Sequence, residues 1–403
     1  MLVWRLAFRN LFRHKTRLLL NLTLLLGAFA AIVLFKGFKE HVLRTMRNSL
    51  IETQFAHVDI AKKSFWDNSP VDQVSDKMIE APQDLGREIS KLPDVAFVAS
   101  RVGFYGLINT EDKSQPGRLI GFDPDVEIAM QKNMLFTEGE AFSGRKMAII
   151  GNGLAKTLKV KAGDDVTIVS PTLEGGINAM DLKVTGVFST GWSGVDNSTI
   201  FLSLLDAQKV LDTERVDQLL VGLKSESQIL SAATQIRKVL PSGDMDVRPW
   251  YESADLYRQV DVFYQFQNVV IEIILLALLI LSVSNTTSMV IFERLGEIGT
   301  LRALGDYESD IQKLFLIESM FLGLLAIILG IPVSFALTQL VSSLDIPLAL
   351  PFASRAFALK VLSLPWAYVE AACVVLISIL IASIWPARKG ARTSIVTALR
   401  AKI

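Results

Sequence analysis

Four arginines near the start of the sequence, Arg5, Arg9, Arg13 and Arg17, recur every fourth residue and set a basic stripe on a helix whose other faces carry Leu2, Val3, Leu6, Phe8, Leu11 and Phe12. The chemistry open to such a stripe is adhesion to anionic headgroups, worth about 1 kcal/mol per basic residue, with the apolar side lying in the interface. A second constellation interleaves Glu293, Arg294, Glu297 and Arg302 with Leu295, Ile298, Leu301 and Leu304 at helical spacing, and Gly305 offers a C-terminal stop. Neither set has the residues of a catalyst. His14, His41 and His57 fall in different regions and form no metal cluster, and no Ser/His/Asp or Cys/His arrangement has supporting context. No G-x-x-x-x-G-K-[ST] cradle for phosphates occurs, and Gly151-Asn152-Gly153 lacks the lysine that such a cradle needs. No catalytic, cofactor-binding or metal-binding residue is expected.

The elements that must hold these charges are long apolar runs at 18–35, 269–292, 314–344 and 366–385. Eighteen residues at about 1.5 Å each match the hydrocarbon thickness, so each run can cross a bilayer as a helix. Ala28-Phe29-Ala30 mimics an export cleavage site, but the first run continues five residues beyond it, which favours a retained anchor. With 51% hydrophobic and 20% charged residues and a mean hydropathy of +0.39, the chain is expected to be part membrane, part aqueous domain. Its formal net charge of zero offers no basic field for nucleic acid, and the lone Cys373 excludes a disulfide within the chain.

Lys and Arg near span ends resist transfer across the membrane. Residues 1–17, the 293–313 loop and the tail after Trp385 are rich in them, whereas 345–365 has only Arg355 and Lys360. Both termini are therefore expected in the cytoplasm. The fold expected is an α-helical membrane protein with four transmembrane helices plus a large α+β extracytoplasmic domain inserted between the first and second. Its parts are an elbow helix (1–17), a first span and stalk (18–50), the outer domain (51–252), a stalk and second span (253–292), the cytoplasmic segment (293–313), a third span (314–344), a short outer loop (345–365), a fourth span (366–385) and a tail (386–403).

In the outer domain, strand-like runs at 58–61, 95–98, 146–150, 165–169, 182–188, 218–223 and 245–247 mix with helix-like runs at 83–92, 153–158, 204–212 and 228–239, an α+β pattern of one or two subdomains. Phe38, Val42, Met46 and Leu50 continue the first span as a stalk, and Leu256, Val260, Phe263 and Gln267 set a similar seam before the second. A helix of about fifteen residues is a rod of roughly 22 Å, which transmits displacement. Phe65, Trp66 and Trp192 lie in polar loops, where such aromatics either anchor local packing or serve as candidate contacts for cargo or a partner protein. Glu272, Glu318 and Glu370 sit near span ends, where helix contacts are expected of them rather than a proton path.

Directly after one span and before another, Glu293-Arg294-x2-Glu297-Ile298-x2-Leu301-Arg302-Ala303-Leu304-Gly305 resembles the coupling segment of the MacB/FtsX-like ABC-transporter permeases. This type VII group is typified by the macrolide exporter MacB, the lipoprotein-releasing LolC and LolE permeases and the division protein FtsX. Further matches are LAFRNLFRHKTR (6–17), IIGNGLAKTLKVKAGDDVTIV (149–169), Trp250 and PARKGARTSIVTALR (386–400), in the same layout of one span, a large insert and three spans.

The resemblance implies a permease of the bacterial inner membrane whose periplasmic domain is moved by mechanotransmission, with ATP and Mg bound by a separate cytoplasmic ATPase and no cofactor on this chain. It implies a second permease chain, identical or homologous, and contacts with membrane lipid. Lipoprotein is the expected cargo, with a periplasmic acceptor beyond it. An FtsX-like regulator of a cell-wall hydrolase and a tripartite-type exporter of drug, peptide or siderophore are the alternatives.

Overall fold

The structure, a computed structural model, describes residues 15–51, 55–66, 74–123, 126–127, 134–142, 144–241, 243–348, 354 and 356–394. Of the expected elbow helix (1–17), residues 1–14 with Arg5, Arg9 and Arg13 lie outside them, while residues 15–17, with Arg17, are the start of the first long helix. The chain divides into a helical unit (1–43, 261–347 and 358–403) and an inserted unit (44–260 and 348–357).

Among the described residues, four helices are long and apolar enough to cross a membrane: α1 (Lys15–Leu50), α9 (Asp255–Glu293), α11 (Glu308–Ser343) and α12 (Pro365–Ala391). The cuts between units fall inside α1 and α9, so both run unbroken from one unit into the other. In the helical unit, Leu25, Phe29, Ile32 and Val33 of α1 form one core with Leu279 and Val283 of α9, Leu322 and Ala326 of α11, and Ala371, Val375, Ile379 and Ala382 of α12. Lipid gives no hydrophobic drive to helix association, so small residues and polar ties matter. The Ser383 hydroxyl donates to Ser319 at 2.7 Å and joins α12 to α11.

The inserted unit follows the α+β expectation. Every expected strand and helix forms, along with three further strands. In chain order its strands are β1 (Val58–Lys62), β2 (Val95–Asn109), β3 (Ser114–Phe122), β4 (Leu135–Gly139), β5 (Met147–Gly151), β6 (Asp165–Pro171), β7 (Ile177–Ser189), β8 (Thr199–Ser203), β9 (Gln218–Leu223) and β10 (Met245–Pro249). Helices α2 (Lys63–Trp66), α3 (Pro82–Ser90), α4 (Asn152–Leu158), α5 (Ser193–Asp196), α6 (Leu204–Leu211), α7 (Ile229–Val239) and α8 (Trp250–Ser253) connect them, and α10 (Leu295–Ala303) lies between α9 and α11. The pairing runs β10-β1-β9-β2-β3-β8-β5-β7-β4, and β6 bridges β2 and β7.

That bridge closes β2, β3, β8, β5, β7 and β6 into a ring of paired strands. Alternate residues point inward, and Val102, Phe104, Ile108, Leu119, Ile150, Ile168, Val184 and Leu202 share a buried cluster. β2 spans both halves of the domain, since Val95–Arg101 register against β9 and Val102–Asn109 against β3. The two halves share a strand rather than standing as separate subdomains.

The β1–β9 part of the sheet buries charge. Asp59 on β1, Asp217 before β9, Arg101 on β2 and Glu127 are all within 6% of full burial, and Arg101 pairs with Glu127. Burial pushes the Asp59 carboxyl up to about 8, against the opposing pull of Ser253 and Arg101. It pushes Asp217 up to about 7, against the Gly103 amide and the Arg118 guanidinium. Glu127 is raised by the same cause. A carboxyl whose folded pKa lies above its unfolded value binds more protons in the folded state, so stability falls as pH rises. Stability of this unit should therefore decline between about pH 4 and about pH 8 and level off beyond. Asp59→Asn should flatten the decline, measured as unfolding temperature across that range; an unchanged slope would discount Asp59 as its source.

Candidate functional site

Two structures built from the spans carry the charged residues. The first is the seam of α1 and α9, two antiparallel helices tied at four levels. Arg17 pairs with Glu293. The Thr286 hydroxyl donates to Asn21 Oδ1 at 3.1 Å. Lys36 Nζ lies 3.0 Å from Glu272, and Lys39 Nζ lies 3.4 Å from Asp261. Phe38 and Tyr264 meet edge-on with ring centroids 6.3 Å apart.

Lys36 also reaches Glu370 of α12 at 2.6 Å and lies 5.3 Å from the Trp366 ring centroid, so one ammonium joins three spans. Its side chain is only 6% exposed, and burying it alone would carry the desolvation cost of a lone cation. Glu272 and Glu370 make the helix contacts expected of them; their partner Lys36 was not singled out in the sequence.

The stalk seam differs from the expectation on α9. Val260 and Tyr264 are buried, whereas Leu256 and Phe263 are 44% and 61% exposed. Asp261, Asn268 and Glu272 recur at i, i+7 and i+11 on one face, and with Lys39 and Lys36 they set the rotation of the helix. The apolar stripe turns outward as a result. Phe263, Phe266, Ile273, Leu278 and Leu281 stay more than half exposed along it. On α1 the expected Val42, Met46 and Leu50 are buried.

The second structure is the segment between α9 and α11. α10 ends in a tight reverse turn: the Gly305 amide donates to the Arg302 carbonyl and the Asp306 amide to the Leu301 carbonyl, with Gly305 at φ +109°. Ile298 packs with Ile291, Ile311, Phe315, Ala387 and Ala391. Arg294 binds Glu297 at 3.1 Å and Glu318 at 2.9 Å, and its guanidinium lies 5.5 Å from the Phe315 ring centroid. Arg302 donates to the carbonyls of Ala391 (2.9 Å) and Thr393 (3.3 Å) and pairs with Glu308 at 3.2 Å. A cation there complements the negative end of α12.

The motif thus splits in two. Glu293, Arg294, Ile298, Leu301 and Arg302 are engaged within the chain and fix the segment. Ala303, Leu304 and Gly305 protrude, as does Glu297 beside its bond to Arg294. Leu304 is 81% exposed and Tyr307, not singled out in the sequence, is 76% exposed, so the turn presents a bare apolar knob.

The aromatic candidates sit differently. Trp192 is 2% exposed, packed with Phe357 at a centroid distance of 5.8 Å; the expected exposed contact is corrected to a buried one. Phe65 and Trp66 are half-buried in α2 and meet edge-on, with the Arg248 guanidinium 4.7 Å from the Trp66 ring centroid.

The family model for the MacB-like periplasmic core domain matches residues 18–239, more than half of the chain, and that for the FtsX-like permease C-terminal region matches 269–395. The chain belongs to the MacB/FtsX-like family of ABC-transporter permeases. An ABC transporter permease of Bacillus subtilis, YtrF, is 33% identical over 30% of this permease and 29% of its own length. The lipoprotein-releasing system protein LolC of Neisseria meningitidis is 25% identical over 45% of this permease and 46% of its own length, and LolE of Haemophilus influenzae 22% over 65% and 66%.

This permease thus spans less than half the length of YtrF and of that LolC. Among solved structures, the extracellular domain of the YknZ transporter from Gram-positive bacteria aligns over 47% of this permease and 98% of that domain (15% identity, TM-score 0.36). The periplasmic region of MacB from Actinobacillus actinomycetemcomitans aligns over 52% of this permease and 95% of that region (11% identity, TM-score 0.37).

Lys36→Met should lower the stability of the permease in nanodiscs by up to about 3 kcal/mol, the low end for breaking a buried pair, because Glu272 and Glu370 keep some solvent. Adding Glu272→Gln and Glu370→Gln should restore most of it. Equal unfolding temperatures for wild type and Lys36→Met would remove Lys36 as the tie.

Proposed function

We propose that this permease transmits work from the ATPase, bound at the Leu304–Tyr307 knob, along the α1–α9 pair to its inserted domain, and so releases a lipidated cargo, a lipoprotein, from the bacterial inner membrane. The four-level polar seam carries this reading. Helices tied at Arg17–Glu293, Asn21–Thr286, Lys36–Glu272 and Lys39–Asp261 resist sliding past one another, and both continue unbroken into the inserted unit. A rod so tied passes displacement on.

In this reading the termini and the knob face the cytoplasm and the inserted domain faces the periplasm, as the Lys and Arg asymmetry of the loops favours. ATP and Mg belong to the ATPase. A second permease chain, with lipid between, covers the exposed stripe of α9, whose large apolar side chains suit either neighbour. The LolC and LolE relatives support lipoprotein as the cargo.

Leu304→Asp should abolish recovery of the ATPase with the detergent-extracted permease while leaving membrane insertion and thermal stability unchanged. Arg302→Glu should lose both, since it strips the carbonyl end of α12 and faces Glu308 with a like charge. ATPase recovery unchanged by Leu304→Asp would exclude the knob as the docking point. Lipoprotein retained on the mildly purified wild type would support the cargo; a cell-wall hydrolase or an outer-membrane duct in its place would replace it.

A further inference from the structure

Ser354 and Phe357, which lie between α11 and α12 in the sequence, belong to the inserted unit, and one buried carboxylate holds Ser354 there. Asp196, the last residue of α5, is fully buried. It accepts from the Ser189 hydroxyl at 2.7 Å, from the Thr190 amide and hydroxyl at 2.8 Å each, and from the Ser354 hydroxyl. The first three donors come from the end of β7 and its loop; the fourth comes from a residue 158 positions away. Around this carboxylate the Ser354 amide donates to the Gly191 carbonyl at 3.0 Å, the two serine hydroxyls lie 3.3 Å apart, and Trp192 packs on Phe357. The same loop takes a further bond, from the Ser49 hydroxyl of α1 to the Thr190 carbonyl at 3.0 Å.

The Gly151-Asn152-Gly153 motif, unused by phosphate chemistry, finds its reason here. A Cβ on Gly151 would lie 2.4 Å from the Asp196 carbonyl oxygen and 2.9 Å from its Cα, so any larger residue would push α5 and its carboxylate off this position.

We propose that Asp196 is a positioning residue, a clip that makes Ser354 and Phe357 an integral part of the inserted domain and gives that domain a third attachment besides α1 and α9. Withdrawing Ser354 would strip the buried carboxylate of one of its four donors, which is unfavourable even though the other three keep both oxygens bonded, so the clip resists that withdrawal. The loop that carries it also holds the end of α1. Movement of the inter-span segment and movement of the α1 stalk therefore reach the domain at one place. The proposal does not depend on the identity of the cargo or on the docking of the ATPase.

Hydrogen exchange on the full-length permease in nanodiscs tests it. Wild type should protect the amides of Thr190 and Ser354. Ser354→Ala, which cannot unfold the domain by loss of packing, should speed exchange at both by about tenfold, the scale of one lost bond to a charged group. Ser354→Thr should restore protection by returning the hydroxyl. In a Cys373→Ser background, the pair Ser189→Cys and Ser354→Cys should close a disulfide under mild oxidation and resist alkylation. An unprotected Ser354 amide in wild type, Thr190 exchange indifferent to Ser354→Ala, or freely alkylated thiols in the pair would each overturn the clip.

Discussion

A lysine among apolar helices persists only while carboxylates replace the hydration it has lost, and Lys36 meets two, on two different spans. That requirement fixes more than one contact. It brings α9 and α12 together against one point of α1 and sets the depth at which they meet. With Asp261 and Asn268 on the same face as Glu272, it also turns α9 so that its charges face inward. The outward-facing Phe263 and Phe266 are the complement of that choice, since one helix cannot present both faces to α1.

The coupling segment shows the same division between fixing and presenting. Arg294 and Arg302 each bind more than one group within the chain, including backbone carbonyls at the end of α12, and so anchor a helix of only nine residues that would be marginal by itself. Its charges position the segment, and its apolar tip is what remains to meet another protein. A reading of the motif as a strip of charges offered to a partner would have assigned these roles the other way round.

Much of the architecture was legible because it follows from composition. Twenty or so apolar residues have few alternatives to a membrane helix, and strands such as 218–223, rich in Leu and Val and wholly buried, announce themselves by type. The strands that were missed lack such a signature. β3 begins with Ser-Gln-Pro-Gly, a turn composition, and becomes a strand because β2 and β8 flank it. The site was legible to the extent that it was local: the turn at Gly305 follows from its residues. Lys36 with Glu370, Arg302 with the end of α12, and Asp196 with Ser354 are pairings across more than eighty positions, and no spacing rule reaches that far.

The ring of strands in the inserted domain has a consequence for recognition. Strands paired on both sides have no main-chain groups to lend, whereas β10 and β4, at the two ends of the pairing order of the large sheet, each keep an open margin where an extended peptide could lie down as an added strand. Whatever the domain grips elsewhere must be grasped by side chains and loops. Selectivity there rests on surface shape and charge rather than on backbone pairing.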